Sequence, residues 1–171
     1  VLLAGDGRPV LADFGMAAHI SDTHVLAKRC GTPGYLAPEV VTSAPCGYKV
    51  DCFSAGCVLH FLLCGSHPYA ASEMTEILWK TVECEVDLER AAFAGVSECC
   101  KDLMLKLLEK KADGRLAMNE ALAHPWIAQE GKGLVQQDEE KEQEKPRGER
   151  WHGIFRLPSK SGQRPTGKQG T

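Results

Sequence analysis

Three features that would point to nucleic acid or a membrane are missing from this sequence. The 171 residues include 20 basic and 23 acidic side chains, a net charge of −3, so no strong positive field attracts nucleic acid or an anionic membrane. There is no run of about 18 apolar residues, and no basic segment precedes a short apolar run. We therefore expect no nucleic-acid partner, no membrane span and no signal peptide within these residues, and a cytoplasmic or nuclear location.

Cysteine motifs for metal binding are also missing, although the chain contains eight cysteines. No C-x-x-C occurs, and no histidine has the spacing that zinc sites use. Cys57 and Cys64 lie within apolar runs, where a free cysteine behaves as a small hydrophobic residue. The pattern predicts reduced, structural thiols in a reducing compartment. Cys30 has a second interpretation as a redox-sensitive thiol, since Lys28 and Arg29 precede it.

The first part of the chain predicts a hairpin followed by a long loop. Residues 1–12 contain two short apolar stretches on either side of Gly5-Asp6-Gly7, which favours a β-hairpin leading into Asp13. From Phe14 to Lys49 the sequence is rich in Gly, Pro, Ser and Thr and has no sustained period. This is typical of a long, adjustable loop, and such loops are usually functional or disordered.

Four helices are predicted after this loop. The first, Val50 to Leu63, is apolar almost all round, so we expect it to be central and buried. The others are expected at Glu73 to Val82 after a Ser72 N-cap, at Glu98 to Glu109 after Ser97, and at about Met118 to Ala123.

The composition changes near Ile127. Residues 1–127 are predicted to form one packed domain, and residues 128–171 a charged and mostly disordered tail. Within the tail, residues 151–157 combine aromatic, apolar and basic side chains. This fits either a segment that docks on a partner or an apolar patch without a function in a disordered tail.

Two motifs carry the strongest signal in the chain. Asp13-Phe14-Gly15 is followed 26 residues later by Glu39, which ends the run Gly31-Thr32-Pro33-Gly34-Tyr35-Leu36-Ala37-Pro38-Glu39. Together they resemble the activation segment of protein kinases. The resemblance implies a mainly α fold, the carboxy-terminal lobe of a protein kinase with a short amino-terminal β-hairpin, and an amino-terminal lobe that is absent from this chain.

The resemblance also implies where catalysis is carried out. In protein kinases the catalytic loop H-R-D-x-x-x-x-N lies just before the position that corresponds to Val1. We therefore expect no catalytic residue within residues 1–171, and we expect this chain alone to be inactive.

The aspartate of the first motif corresponds to a metal ligand. Asp13 would hold Mg²⁺, because a carboxylate is a hard oxygen donor that can link the metal to the phosphates of ATP. Phe14 and Gly15 would act as switch residues, the ring packing beneath Asp13 and the glycine supplying backbone freedom. The implied cofactors of the intact enzyme are ATP and Mg²⁺.

The second motif corresponds to a substrate pocket. By resemblance, Thr32, Gly34 and Tyr35 would shape the pocket of a serine/threonine kinase, whose partners are proteins that accept phosphate on Ser or Thr. The plain alternative is a turn of small residues.

Two hydroxyl groups of the activation segment are candidates for phosphorylation. A phosphate on Ser21 or Thr23 could pair with Lys28 or Arg29 and order the loop. The sequence leaves open whether such a step activates the protein.

Three charged residues have structural roles by the same resemblance. Glu39 would form an ion pair with Arg115, and removing one partner of a buried pair costs roughly 3–5 kcal/mol. Asp51 would accept backbone hydrogen bonds from the catalytic loop.

Some positions depart from the family pattern. Phe53 replaces a usual Trp, Lys111-Ala112 replaces a common Asp-Pro, and Ala117 stands where Ser or Thr usually caps the last helix. Losing such a cap costs about 1 kcal/mol.

The chain looks most like the calcium/calmodulin-dependent and calcium-dependent kinases. The segments that carry this likeness are Gly47 to Asp51, Leu62 to Gly65, and His124-Pro125-Trp126. No D-x-D-x-D-G loop ending in Glu follows Ile127, so regulation by a calcium sensor stays an open hypothesis.

Two functions therefore remain as hypotheses. The first is a fragment of a kinase that transfers the γ-phosphate of MgATP to Ser or Thr of proteins. The alternative is a truncated, pseudokinase-like binding or decoy module without catalysis, against which an uncovered apolar face on the Val50 to Leu63 helix argues.

Overall fold

The computed structural model describes residues 1–130 of the chain. It begins with two antiparallel strands, β1 (Leu2–Leu3) and β2 (Pro9–Val10), in which Leu2 lies opposite Val10. In the turn between them, the amide of Ala4 donates to the carbonyl oxygen of Arg8 at 2.9 Å. The predicted hairpin is confirmed, and both of its strands are exposed.

Within residues 1–130, seven α-helices and one 3₁₀ turn follow the hairpin. They are α1 (Thr23–Leu26), α2 (Pro38–Thr42), α3 (Lys49–Cys64), α4 (Met74–Glu83), the 3₁₀ turn (Ala91–Phe93), α5 (Glu98–Leu107), α6 (Met118–Leu122) and α7 (Pro125–Glu130). This mainly α architecture with a short hairpin confirms the expected fold class.

The long loop predicted from Phe14 to Lys49 contains two helices, so that prediction is wrong in part. Helix α1 has a strong local cap, because the carboxylate of Asp22 accepts a hydrogen bond from the amide of Val25 at 3.1 Å. Helix α2 begins at Pro38, whose fixed φ suits the first helical position. Neither helix is long enough to give a readable hydrophobic period.

The four predicted helices are present, with ends shifted by one or two residues. The Ser97 cap is confirmed, since its hydroxyl accepts from the amide of Cys100 at 3.3 Å. The Ser72 cap is wrong, because the extended N-cap position of α4 belongs to Glu73, whose side chain makes no capping bond. At α6, Ala117 has no side chain that can cap. Instead, the carboxylate of Glu120 reaches back to accept from its amide at 2.7 Å.

Helix α3 packs directly against α5. A methyl group added at Gly56 would lie 2.9 Å from the Leu108 side chain and 3.0 Å from Cβ of Leu107, so only glycine lets these elements approach so closely. The expectation of a fully buried α3 is wrong near its end, where Phe61 is 41% and Leu62 is 75% exposed. Within residues 1–130, the His67 ring lies 5.2 Å from the ring of Phe61 and covers it only in part.

The core forms around α3 and α5 in two groups of buried side chains. The first consists of Ala37, Phe53, Cys57, Tyr69, Phe93, Met104 and Leu108. The second consists of Cys52, Leu103, Leu107 and Ala121.

Residues Val1–Gln129 make up one compact unit. Helix α7 begins at Pro125 and continues three residues beyond the predicted end of the domain at Ile127. In the described part of the chain, no helix has the length and apolarity to span a membrane. The predictions for the tail from residue 131 onwards lie outside the described residues.

His60 is buried near the end of α3. Its Nδ1 lies 2.8 Å from the carbonyl oxygen of Ser66, which can only accept, so the imidazole donates from Nδ1. The ring also lies edge-on to Phe93, with 5.3 Å between centroids. Burial lowers the pKa of His60 below its usual value, and the bond to Ser66 opposes only part of this effect.

We expect His60 to make the fold less stable in mild acid. Its contribution is fully present above the unfolded pKa of about 6.5 and is lost as the pH falls through the lower folded pKa, because only the unfolded ring binds a proton readily. His60→Phe should therefore show a smaller drop in Tm than the parent between about pH 7.5 and about pH 5.5. His24→Gln, at an exposed position, is the control, and an unchanged drop in His60→Phe would contradict the assignment.

Cysteine reactivity should follow burial. All eight cysteines are free thiols, and Cys30 is exposed whereas Cys57 is buried. Burial raises the pKa of Cys57 to about 12 and also raises the pKa of Cys84. We expect iodoacetamide to alkylate Cys30 well before Cys57, as measured by mass spectrometry, and Cys30→Ser to remove this fast reaction. Equal rates at Cys30 and Cys57 in the folded protein would rule this out.

Candidate functional site

Asp13 occupies an unusual backbone conformation directly after the hairpin. Its φ of 65° lies in the left-handed region, which aspartate tolerates better than most residues because its short side chain bonds locally. One carboxylate oxygen accepts from the amide of Gly15 at 3.3 Å, and the side chain is otherwise exposed. A hard oxygen donor is therefore presented to solvent.

This donor fits Mg²⁺ as one ligand among several. In residues 1–130, no three His, Cys, Asp or Glu side chains lie close enough to hold a metal by themselves. Mg²⁺ bound with ATP uses one or two carboxylates, with phosphate oxygens and water supplying the remainder. Asp13 meets that requirement without a second protein ligand.

The switch roles of Phe14 and Gly15 stay predictions. Within the described residues the side chain of Phe14 is 68% exposed. A Cβ added at Gly15 would lie 3.2 Å from a carboxylate oxygen of Asp13, a tight contact that glycine avoids.

The Gly31–Leu36 loop is firmly held. A Cβ at Gly31, whose φ is 132°, would lie 2.5 Å from the Leu36 side chain, so this position requires glycine. The amide of Tyr35 donates to the carbonyl oxygen of Thr32 at 3.2 Å, which closes a turn. The carbonyl oxygen of Tyr35 in turn accepts from the hydroxyl of Ser54 on α3 at 2.9 Å. The three residues predicted for the pocket thus share one anchored turn.

Glu39 and Arg115 meet in a bidentate, buried ion pair. Nη1 of Arg115 donates to one carboxylate oxygen at 2.6 Å and Nη2 to the other at 2.9 Å. Arg115 is 1% exposed, and its remaining donors reach the carbonyl oxygens of Lys49, Glu109 and Lys110 at 2.8–3.3 Å. Because both charges are fully hydrogen-bonded, the pair can be buried at low cost.

The guanidinium of Arg115 also stacks on an aromatic ring. Its central carbon lies 4.9 Å from the centroid of Phe53, a favourable cation–π distance. Lys49 adds a second link, because its Nζ donates to the carbonyl oxygens of Asp113 and Arg115 at 3.1 and 2.7 Å. The pair therefore joins α2, α3 and the loop before α6.

Asp51 lies apart from this pair. It is exposed near the start of α3, and its carboxylate has no hydrogen-bond partner within residues 1–130, although its amide donates to the carbonyl oxygen of Tyr48. It lies at a cavity of about 430 Å³, whose walls are the segment after Phe14, the Gly31–Leu36 loop and the beginning of α3. Thr32, Tyr35 and Asp51 share this cavity.

The two candidate phosphorylation sites lie in the exposed segment that precedes the Gly31–Leu36 loop. The hydroxyl of Ser21 is 2.7 Å from Nδ1 of His19, and Thr23 is the first residue of α1. Arg29 already donates to the carbonyl oxygen of Val41, at the end of α2. Lys28 is therefore the better placed of the two predicted phosphate partners.

Comparisons with known proteins identify the family. The family described as "Protein kinase domain" matches residues 1–127. The chain belongs to the protein kinase family. It is 32% identical over 123 residues to "Calcium/calmodulin-dependent protein kinase type 1" of Macrobrachium nipponense, and equally to that of Caenorhabditis elegans; each match covers 72% of this chain and 35% of the relative. It is 35% identical over 117 residues to "Probable serine/threonine-protein kinase 2" of Plasmodium falciparum (isolate K1 / Thailand), covering 68% of this chain and 23% of the relative.

A solved structure supports the same assignment. The twitchin kinase region of C. elegans superimposes with a TM-score of 0.54 at 35% identity, covering 55% of this chain and 17% of that one. The kinase-like fold expected from the motifs is thus confirmed. This kinase chain spans about a third or less of the length of the curated relatives it matches.

Three residues of the site were missed by sequence reasoning. Ser54 lies on the predicted helix and Lys49 at the end of the predicted loop, and both donate to backbone oxygens far along the chain. His67 contacts the ring of Tyr35 at 4.5 Å between centroids. The sequence signal for His67 is limited to its position directly after Gly65-Ser66, where α3 has ended.

Breaking the Glu39–Arg115 pair should destabilise the fold strongly. Arg115→Met leaves a buried carboxylate without its partner, so we expect the free energy of unfolding to fall by about 3–5 kcal/mol. Urea unfolding of residues 1–171, followed by circular dichroism, measures this loss.

Arg8→Met is the matched control. The Asp6–Arg8 pair has a similar distance, 2.8 Å, but both side chains are largely exposed, so its loss should change stability little. An Arg115→Met protein as stable as Arg8→Met would contradict a structural role for the buried pair.

Proposed function

We propose that this chain is part of a serine/threonine protein kinase that transfers the γ-phosphate of MgATP to Ser or Thr of protein substrates. The observation that carries the proposal is the exposed carboxylate of Asp13, joined through one segment to the anchored turn of Thr32, Gly34 and Tyr35. The carboxylate at the Asp13 end is a suitable ligand for a phosphate-bound metal. The anchored turn at the other end is a suitable surface for a polypeptide.

Asp13 would hold the metal ion at the phosphates. When bound there, Mg²⁺ neutralises charge on the transferring phosphoryl group. The bond from the amide of Gly15 orients the carboxylate for this role. Thr32 and Tyr35 would position the acceptor, because their turn is fixed to α3 through Ser54.

The cavity beside Asp51 would receive the catalytic loop. In this proposal that loop comes from residues before Val1, and its backbone amides donate to the free carboxylate of Asp51. The lack of a hydrogen-bond partner for this carboxylate within residues 1–130 supports this assignment. The chain alone would then lack the catalytic aspartate and be inactive.

Regulation of the intact protein by a calcium sensor is proposed only on the likeness to the calcium/calmodulin-dependent relatives.

A binding or decoy module is the second candidate. The apolar face that argues against this candidate is confined on α3 to Phe61 and Leu62, and a patch this small is compatible with a partner contact. The two candidates differ in whether Asp13 matters for phosphoryl transfer.

The proposal predicts a sharp dependence on residues before Val1. Purified residues 1–171 should transfer no phosphate from radiolabelled ATP above an Asp13→Ala control, and should show no MgATP binding in the millimolar range or tighter. A longer protein that includes the preceding segment should transfer phosphate, and Asp13→Ala should lower its rate at least about 100-fold, since the metal supplies several kcal/mol.

Asp22→Ala is the matched control in the same segment. Asp22 caps α1 and has no proposed metal role, so the longer protein should keep most of its activity. Transfer by residues 1–171 above the Asp13→Ala background would contradict the need for a preceding catalytic loop. A longer protein indifferent to Asp13→Ala would contradict the kinase proposal and favour the binding module.

A further inference from the structure

His67 is a histidine with an unsatisfied buried atom. Its Nδ1 is buried and has no hydrogen-bond partner within residues 1–130. The ring is fixed from two sides, edge-on against Tyr35 at 4.5 Å and tilted against Phe61 at 5.2 Å between centroids. Burying a polar atom without a hydrogen-bond partner costs free energy, so a partner for Nδ1 is expected in some state of the protein.

The Nδ1 edge of His67 faces Gly34. A Cβ built on Gly34 would lie 3.5 Å from Cγ and 3.7 Å from Nδ1 of His67, so this edge of the ring lies against the Gly34 backbone. These are ordinary contact distances, and space alone does not require glycine. The φ of 92° does, because a side chain would strain the backbone there.

The backbone of Gly34 offers the complementary group. Gly34 is buried, and its N–H has no acceptor within the described residues. An unpaired donor and an unpaired acceptor therefore belong to two neighbouring groups, and a glycine can rotate its peptide more freely than any other residue.

We propose that His67 is a positioning residue of the Gly31–Leu36 loop, its Nδ1 accepting a hydrogen bond from the Gly34 N–H when the loop takes up a polypeptide substrate. The inference rests on the proposed function of Thr32, Gly34 and Tyr35 as the substrate pocket. The bond would lock the peptide of Gly34 and hold the Tyr35 ring against His67. It requires the neutral tautomer with its proton on Nε2.

Two variants separate the ring of His67 from its nitrogen. His67→Phe keeps the ring contacts and removes the acceptor, whereas His67→Asn places an amide oxygen close to the position of Nδ1 and loses the ring. In the longer kinase, His67→Phe should raise KM for a peptide substrate roughly 5–15-fold, the equivalent of one neutral hydrogen bond, with kcat nearly unchanged. His67→Asn should restore KM most of the way to the parent value.

A merely structural role would give a different pattern. If His67→Phe keeps the parent KM, or if His67→Asn is impaired as much as His67→Phe, the proposal is wrong. His24→Gln serves as the control histidine variant and should leave KM and kcat unchanged.

A second readout does not depend on kinase activity. Long-range ¹H–¹⁵N spectra of residues 1–171 report which ring nitrogen of His67 carries the proton. The proposal predicts protonation at Nε2 only, and a proton on Nδ1 would overturn it because that nitrogen could not accept. If the longer protein transfers no phosphate at all, the proposed function fails and so does the substrate-linked part of the inference, whereas a proton on Nδ1 overturns the bond to Gly34 whatever the activity.

Discussion

The buried pairing of Glu39 with Arg115 is the constraint on which the arrangement of this chain depends. It joins residues 76 positions apart, and the guanidinium also bonds three backbone carbonyl oxygens and covers Phe53. Isolated buried charges are expensive, so such a pair persists only where every donor is used. Here they are used, and the result is a fixed crossing point between α2, α3 and the loop that leads into α6.

The activation segment has two parts, one held by hydrogen bonds to α3 and one exposed to solvent. On the side of Glu39, the turn that contains Thr32 and Tyr35 is tied to α3 by Ser54 and to α2 by the chain itself. On the side of Asp13 the segment is exposed, and the side chain of Phe14 is 68% exposed. Under the proposed function, the Gly31–Leu36 loop would stay fixed, and Asp13 would complete a metal site only together with further parts of the domain.

The sequence predicted the elements whose signals are local and repeated. Helix α3 follows from its long apolar run, and the start of α5 follows from the capping hydroxyl of Ser97. Helices α1 and α2 were missed because four or five residues are too short to show a period. The packing of Phe14 stays a prediction, since its side chain is 68% exposed within residues 1–130.

The candidate site divides in the same way. Asp13, Thr32, Glu39 and Arg115 could be named because they lie in motifs that resemble those of a known family. His67 and Ser54 could not, because their partners lie 32 and 19 residues away and are set by tertiary packing. Motifs identify the groups that perform chemistry, whereas the residues that position them emerge only from the packed structure.

Native-state hydrogen exchange of Glu39→Gln, compared with the parent, tests the central role of the ion pair most directly. The account predicts faster exchange in residues 31–42, which the pair holds in place, while the amides of α5 keep most of their protection. Equal protection of residues 31–42 in the two proteins would contradict it, because the pair would then not contribute to holding the Gly31–Leu36 loop and α2 in place.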